Sequence, residues 1–190
     1  MSDELILRQA SPTLAGLKTG SLFTVPYRSE SELRADVAEM NRRLAPKGVS
    51  LRVLRMRRRA LLYLYRPSYL SRDFSQAEAA SLLRQYGYAA ENAEQCLERL
   101  GERLRAGGEF PHEIGLFLGY PPEDVRGFIE HRERDLKCVG CWKVYGDEAA
   151  AQKTFCLYRR CSELYRQRFT DGTPIERLTV AEQNSFRKDT

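Results

Sequence analysis

The chain has 190 residues, of which 42% are hydrophobic and 30% are charged, a composition typical of a folded globular protein. This composition excludes the disordered, collagen-like and repeat-array classes, and at this length we expect a single domain. The formal net charge is +5, from 31 basic and 26 acidic residues. The longest apolar runs, such as residues 60–65, are too short to cross a bilayer, so we expect no membrane association.

The positive charge is concentrated in one segment, residues 40–72. This segment holds ten basic residues and no acidic one, so the rest of the chain carries 21 basic and 26 acidic residues. Five of the ten are the arginines of residues 52–59, namely Arg52, Arg55, Arg57, Arg58 and Arg59. We interpret this arginine patch as a local surface for an anionic ligand or an acidic protein.

Apolar periodicity predicts most of the helices. The first is predicted to begin at Ser11-Pro12, which offers a capping hydroxyl and a proline at the first helical position. Gly16 and Gly20 limit this helix to about two turns. Further helices are predicted at residues 32–44, 75–86, 91–105, 111–118, 122–131 and 147–169.

Three strands are predicted, at residues 49–55, 59–66 and 139–145. The first alternates apolar and polar residues and the second is apolar on both faces, so they should be half-buried and fully buried, respectively. A short basic connection joins these two strands into an antiparallel hairpin. The predicted class is therefore α+β: a single domain with a small three-stranded antiparallel sheet packed against several helices. We expect residues 181–190 to form a mobile tail.

Five cysteines in a chain that begins without a secretory signal favour reduced thiols and a cytoplasmic location. Cys138 and Cys141 form a C-x-x-C pair, the pattern of half a zinc site or of a redox dithiol. In an extended chain, side chains three positions apart point to opposite faces, so the two thiols should diverge. We therefore expect buried thiols, no metal and no cofactor. A thiol-redox or metal-binding protein using Cys138 and Cys141 is the alternative.

His112 and Glu113 form the preferred candidate site. They come at the predicted start of a short helix, where the positive helix end favours a neutral imidazole. A neutral imidazole beside a carboxylate can act as a base or bind a ligand. Tyr120, in the following Gly- and Pro-containing turn, would lie in the same site, with Arg57, Arg58 and Arg59 at its rim. The competing interpretation is that His112 caps a helix or packs in the core.

Residues 113–129 have the spacing of a DNA-binding helix-turn-helix unit. The second helix argues against DNA binding, because Glu123 and Asp124 at its start would meet a polyanion. The arginine patch beside Tyr63 and Tyr65 could instead bind RNA through phosphate contacts and stacking. Nucleic-acid binding therefore stays as a disfavoured alternative.

Four blocks of the sequence resemble a known bacterial family. They are residues 11–18, 62–67, 110–125 and 141–146, and they are similar to a mostly clostridial family catalogued as domain of unknown function number 3793. The resemblance covers about residues 5–180. It implies a single-domain cytosolic bacterial protein with no established activity, and no functional residues carry over from it. The resemblance also implies His-Cys just before the Ser-Pro pair, where this chain has Gln9-Ala10, so any thiol chemistry at that point is absent here or was never the function.

The sequence therefore predicts a binding or accessory protein with its site near the His112-Glu113 helix start. It names no reaction, and the balance of features leans against an enzyme. Gly16-Leu17-Lys18-Thr19 lacks the spacing of a Walker A motif, so we do not interpret it as a phosphate-binding loop.

Overall fold

A three-stranded antiparallel sheet lies at the centre of the protein, whose residues 1–182 are described by a computed structural model. Its strands, in chain order, are β1 (Gly20–Val25), β2 (Ser50–Met56) and β3 (Ala60–Tyr65). The spatial order is β1-β3-β2, so β3 pairs with a neighbour on each side. All six side chains of β3 are buried, as predicted for a strand that is apolar on both faces. The predicted α+β class is confirmed.

Helices cover both faces of this sheet. Within residues 1–182 they are α1 (Asp3–Leu14), α2 (Glu30–Leu44), α3 (Pro67–Phe74), α4 (Ala77–Gln85), α5 (Ala93–Ala106), α6 (Ile114–Phe117), α7 (Pro122–His131), α8 (Glu148–Thr170) and α9 (Ile175–Leu178), with a 3₁₀ turn at Ala45–Lys47. Leu61 and Tyr63 of β3 pack into a core with α3 to α7, whereas Leu62 and Leu64 pack into a second core with α1, α2 and α9. The period-two alternation of β3 therefore divides the interior into two cores.

The third strand of the sheet is β1, so the prediction that residues 139–145 would fill this place was wrong. Those residues belong to a separate hairpin of two-residue strands, β4 (Cys138–Val139) and β5 (Lys143–Val144). The chain reverses at Gly140, whose N–H donates to the Trp142 carbonyl across 3.0 Å. A Cβ at Gly140 would overlap the ring of Phe155 in α8, so only glycine allows the hairpin to pack this closely.

Helix α1 begins at Asp3, so the predicted start at Ser11-Pro12 was wrong, and Pro12 lies in its last turn. The Ser11 hydroxyl donates back to the Leu7 carbonyl across 2.5 Å and does not cap a helix. Burial of the apolar face offsets the backbone hydrogen bond that Pro12 cannot donate. Residues of this face with no exposed surface are Ile6, Ala10 and Leu14.

The other predicted helices are present, and most of them begin or end one or two residues from the predicted positions. Helix α7 has the predicted bounds, whereas α6 is a single turn in place of the predicted helix over 111–118. Helices α3 and α9 were missing from the prediction. Every helix within residues 1–182 is too short or too polar to cross a bilayer. The tail predicted to be mobile lies, from residue 183 onward, outside the described residues.

Arg66, directly after β3, is completely buried and connects three segments of the chain. Its Nε donates to the Thr13 carbonyl across 2.7 Å, and its Nη2 donates to the carbonyls of Leu14 and Val180 across 2.7 and 2.8 Å. The first two carbonyls lie at the C-terminal end of α1, where they also accept the backbone N–H groups of Gly16 and Val180 and where positive charge is favourable. Burial lowers the pKa of Arg66, yet a guanidinium stays charged at neutral pH.

Candidate functional site

Glu113 is a buried carboxylate that holds helices together. It is 1% exposed, and its Oε1 accepts a hydrogen bond from the Tyr88 hydroxyl across 2.6 Å. Arg103 of α5 pairs with the same oxygen. Burial and the hydrogen bond to Glu113 raise the pKa of Tyr88, so the hydroxyl remains a donor. Glu113 therefore connects the start of α6 to α5.

His112 lines a cavity that Glu113 does not reach. This cavity of about 270 Å³ lies between α6, α7 and the β4–β5 hairpin. We call it the aromatic cavity because five rings line it: Phe110, His112, Tyr120, Phe128 and Trp142. His112 meets Phe128 edge to face with the ring centres 4.9 Å apart, and Tyr120 stacks on Trp142 at the same separation. The structure thus brings His112 and Tyr120 to one cavity and leaves Glu113 out of it.

Asp124 fixes the hairpin wall of the aromatic cavity. It is 3% exposed, and its Oδ1 accepts hydrogen bonds from the backbone N–H groups of Tyr145 and Gly146, both across 2.7 Å. Its Oδ2 accepts from the Trp142 Nε1 across 2.7 Å. Asp124, one of the two acids whose charge disfavours DNA binding by α7, therefore holds the indole of Trp142 in the cavity wall.

Asp124→Ala is expected to release Trp142 from the cavity wall. Three donors lose their acceptor, so the free energy of unfolding should fall by about 3 kcal/mol, and indole emission should move to longer wavelength as water reaches the ring. Trp142 is the only tryptophan of the chain, so its fluorescence reports this site alone. Glu130→Ala, which removes an exposed acid of the same helix, should leave the emission unchanged. Unchanged emission in Asp124→Ala would contradict the assigned role.

The helix-turn-helix interpretation of residues 113–129 finds little support in the geometry. Helix α6 has only four residues, too few for the supporting helix of such a unit. The α7 surface around Gly127 is covered, because a Cβ there would overlap Tyr145. A nucleic-acid groove could not reach that face of the second helix.

Arg57, Arg58 and Arg59 are exposed at the tip of the β2–β3 hairpin and do not line the aromatic cavity. Arg57 donates to the carbonyl of Arg105 across 3.2 Å, and Arg59 donates to that of Thr24 across 3.0 Å. The structure therefore does not bring these arginines to the rim of the His112 cavity. Binding of an anionic ligand or an acidic protein to the arginine patch stays a prediction.

Cys138 and Cys141 have different neighbours, and all five cysteines of the chain are free. Partial burial and the charge of Glu148 raise the pKa of Cys138. Cys141 is exposed, so the expectation of buried thiols was wrong for it, and its carbonyl accepts a hydrogen bond from the Tyr120 hydroxyl across 3.2 Å. Within residues 1–182, no three His, Cys, Asp or Glu side chains are grouped so that they could hold a metal ion.

A second cavity, of about 450 Å³, is lined by the loop after α1, the end of α3 and residues 119–122. We call it the lysine cavity because Lys18 lines it, half-buried, with its Nζ 5.3 Å from the ring centre of Tyr120. Burial lowers the pKa of Lys18 to about 8. The segment that carries Lys18 was rejected as a phosphate-binding loop from its local spacing, and other residues of this cavity, such as Tyr120 and Tyr158, lie far along the chain.

The structure thus defines a single-domain α+β protein in which two cavities share the side chain of Tyr120 as lining. A family model described as "Protein of unknown function (DUF3793)" matches residues 6–179, and the chain belongs to this family. The family resemblance drawn from the sequence is confirmed. No curated protein and no solved structure matches the chain.

Proposed function

We propose that this chain is a binding protein whose aromatic cavity takes a small molecule with a planar ring. One observation carries the proposal: the side chains of Phe110, His112, Tyr120, Phe128 and Trp142 line one apolar cavity. Aromatic side chains favour stacked or edge-to-face contacts with other rings, and small-molecule sites are typically concave and mostly apolar.

The size and the polar groups of the cavity restrict the ligand. An apolar cavity of about 150 Å³ binds benzene, so one of about 270 Å³ suits a bicyclic ring or a single substituted ring. His112 and Lys143 supply polar atoms among the lining residues. Lys143 lies 5.1 Å from the ring centre of Phe128, so it favours a ligand with a negative or electron-rich edge.

The nearby carboxylates favour binding over acid–base catalysis. Glu113 is occupied by Tyr88 and Arg103, and Asp124 by its three donors. The Oε1 of Glu109 lies 3.9 Å from the Nε2 of His112 and pairs with Arg132, directly after α7. Among the described residues, these carboxylates already have partners and are poorly placed to exchange protons with a ligand through His112.

A titration with naphthalene-2-carboxylate tests the proposal. The single indole N–H signal of Trp142 in a ¹⁵N–¹H spectrum should move and saturate, whereas cyclohexanecarboxylate, which lacks a planar ring, should produce a much weaker change. Phe110→Ala should weaken binding by about threefold to tenfold, the range expected for losing one ring contact.

Leu164→Ala is the matched control for this titration, because Leu164 is 49% exposed, Phe110 is 43% exposed, and Leu164 lies outside the cavity. It should leave the affinity unchanged. The absence of a saturable shift, or equal binding of the two carboxylates, would contradict the proposed function.

A further inference from the structure

We propose that the lysine cavity is a second binding site, which takes a small oxyanion, the carboxylate or phosphate group of a metabolite, on the ammonium group of Lys18. This site is independent of the ring-binding function proposed for the aromatic cavity, although Tyr120 lines both.

The backbone that carries Lys18 is fixed. The N–H groups of Leu17 and Lys18 both donate to the Pro12 carbonyl, across 2.9 and 3.2 Å. The Tyr158 hydroxyl donates to the Leu17 carbonyl across 3.2 Å. Gly16 has φ +72°, and a Cβ there would lie 3.2 Å from the Tyr69 hydroxyl, so this turn requires glycine. Lys18 is therefore presented to the cavity by a rigid loop.

The acid that lines the cavity is already neutralised by other groups. Asp73 Oδ1 accepts two hydrogen bonds from the Arg72 guanidinium, across 3.1 and 2.9 Å, and Oδ2 accepts from the Thr19 hydroxyl. In the described part of the chain, burial is the main influence on the pKa of Lys18, and no carboxylate contributes to it. Among the described lining residues, the charge of Lys18 therefore has no carboxylate of its own, because Asp73 is paired with Arg72.

An anionic ligand would supply that missing counter-charge. A charge removed from water is costly unless it is paired and hydrogen-bonded, so an oxyanion beside Lys18 offsets the cost of burying it. The phenol group of Tyr69 and the amide of Gln76 also line the cavity and can donate to an oxyanion, whereas the Tyr158 hydroxyl already donates to the Leu17 carbonyl. The volume of about 450 Å³ leaves room for the rest of a small metabolite.

The proposal fixes the sign of the pH dependence. A bound anion favours the charged lysine and raises its pKa, so affinity should be constant below pH 8 and decrease as the pH rises above 8. The titratable and charged groups near Lys18 are Tyr69, Arg72 and Asp73 of α3. Those from other elements are Tyr120, Tyr158 and Cys141. Burial raises the pKa of Tyr120 to about 12, so it stays neutral over this range. Cys141→Ser removes the facing thiol and leaves the lysine to titrate.

Chemical-shift titrations of the backbone amides of residues 17–19 test the proposal. Sulfate serves as the tetrahedral probe and acetate as the planar probe, in Cys141→Ser protein at constant ionic strength adjusted with chloride. At least one probe should saturate these shifts at pH 7 and bind more weakly at pH 9.5. Lys18→Gln should weaken binding about tenfold or more, whereas Lys18→Arg, which keeps the charge, should largely retain it.

Lys153→Gln, a change at an exposed lysine of α8, is the matched control and should bind like the parent protein. Saturation by sulfate alone supports a phosphate-type ligand, and saturation by acetate alone supports a carboxylate. If neither probe saturates the shifts, or if Lys18→Gln binds as tightly as its parent, the proposal is overturned. Lys18→Gln should still bind naphthalene-2-carboxylate, so failure at one cavity can be distinguished from failure at the other.

Discussion

Arg66→Met is expected to lower the free energy of unfolding by about 4 kcal/mol, because methionine fills much of the arginine volume but donates no hydrogen bond. The buried carbonyls of Thr13, Leu14 and Val180 would all lose their guanidinium partner. For a domain of this size, such a loss corresponds to a decrease in Tm of roughly 8–16 °C. Urea denaturation and thermal unfolding, both followed by circular dichroism, measure the effect.

Two further variants separate hydrogen bonding from general effects of charge. Arg66→Lys keeps the positive charge, but its three donors leave one nitrogen and cannot match the planar fork of the guanidinium, so it should give an intermediate loss. Arg42→Met changes a side chain that is 74% exposed and should cost less than about 1 kcal/mol. If Arg66→Met were no more destabilising than Arg42→Met, the anchoring role of Arg66 would be refuted.

Glu113→Ala is expected to affect mainly stability and His112→Ala mainly ligand affinity, although the two residues are adjacent. Glu113→Ala leaves Arg103 and Tyr88 without their shared acceptor, so the free energy of unfolding should decrease by about 3–5 kcal/mol. His112→Ala removes a partly exposed ring from the aromatic cavity, so it should cost only about 1 kcal/mol but weaken binding of naphthalene-2-carboxylate. Urea denaturation and the Trp142 titration measure the two effects.

Glu113→Gln and Glu98→Ala are the controls for the Glu113 variant. Glutamine keeps an oxygen that accepts from Tyr88, so its loss should be smaller than that of alanine. Glu98 is an exposed acid of α5, and its removal should be nearly neutral. Equal losses for Glu113→Ala and Glu98→Ala would show that the buried carboxylate contributes little to stability.

The hairpin of β2 and β3 was predictable because its signals are local. Apolar residues on both faces of residues 59–66 indicate a fully buried strand, and β3 is the central strand of the sheet. The third strand was not predictable in the same way. Residues 20–25 and 139–145 offer comparable apolar patterns, and the choice between them depends on packing between distant segments. The turn at Gly140, which packs against Phe155, removes the second segment from the sheet.

The candidate site was predicted in part. His112 and Tyr120 lie close in sequence on either side of α6, and the structure brings both to the aromatic cavity. The direction of Glu113 depends on Tyr88 and Arg103, which no local pattern connects to it. Lys18 was rejected on local spacing alone, because the cavity that surrounds it is completed by distant residues such as Tyr69, Tyr120 and Tyr158.

The contacts of Arg66 with Val180 also have a consequence for the chain during synthesis. The Val180 N–H donates to the Leu14 carbonyl across 3.0 Å, and Ile175 of α9 shares a core with Ile6 of α1. The core that contains α1 therefore cannot close until residues 175–180 have left the ribosome. The core on the other face of the sheet draws its buried residues from 54–125, so it can assemble while the rest of the chain is still being translated.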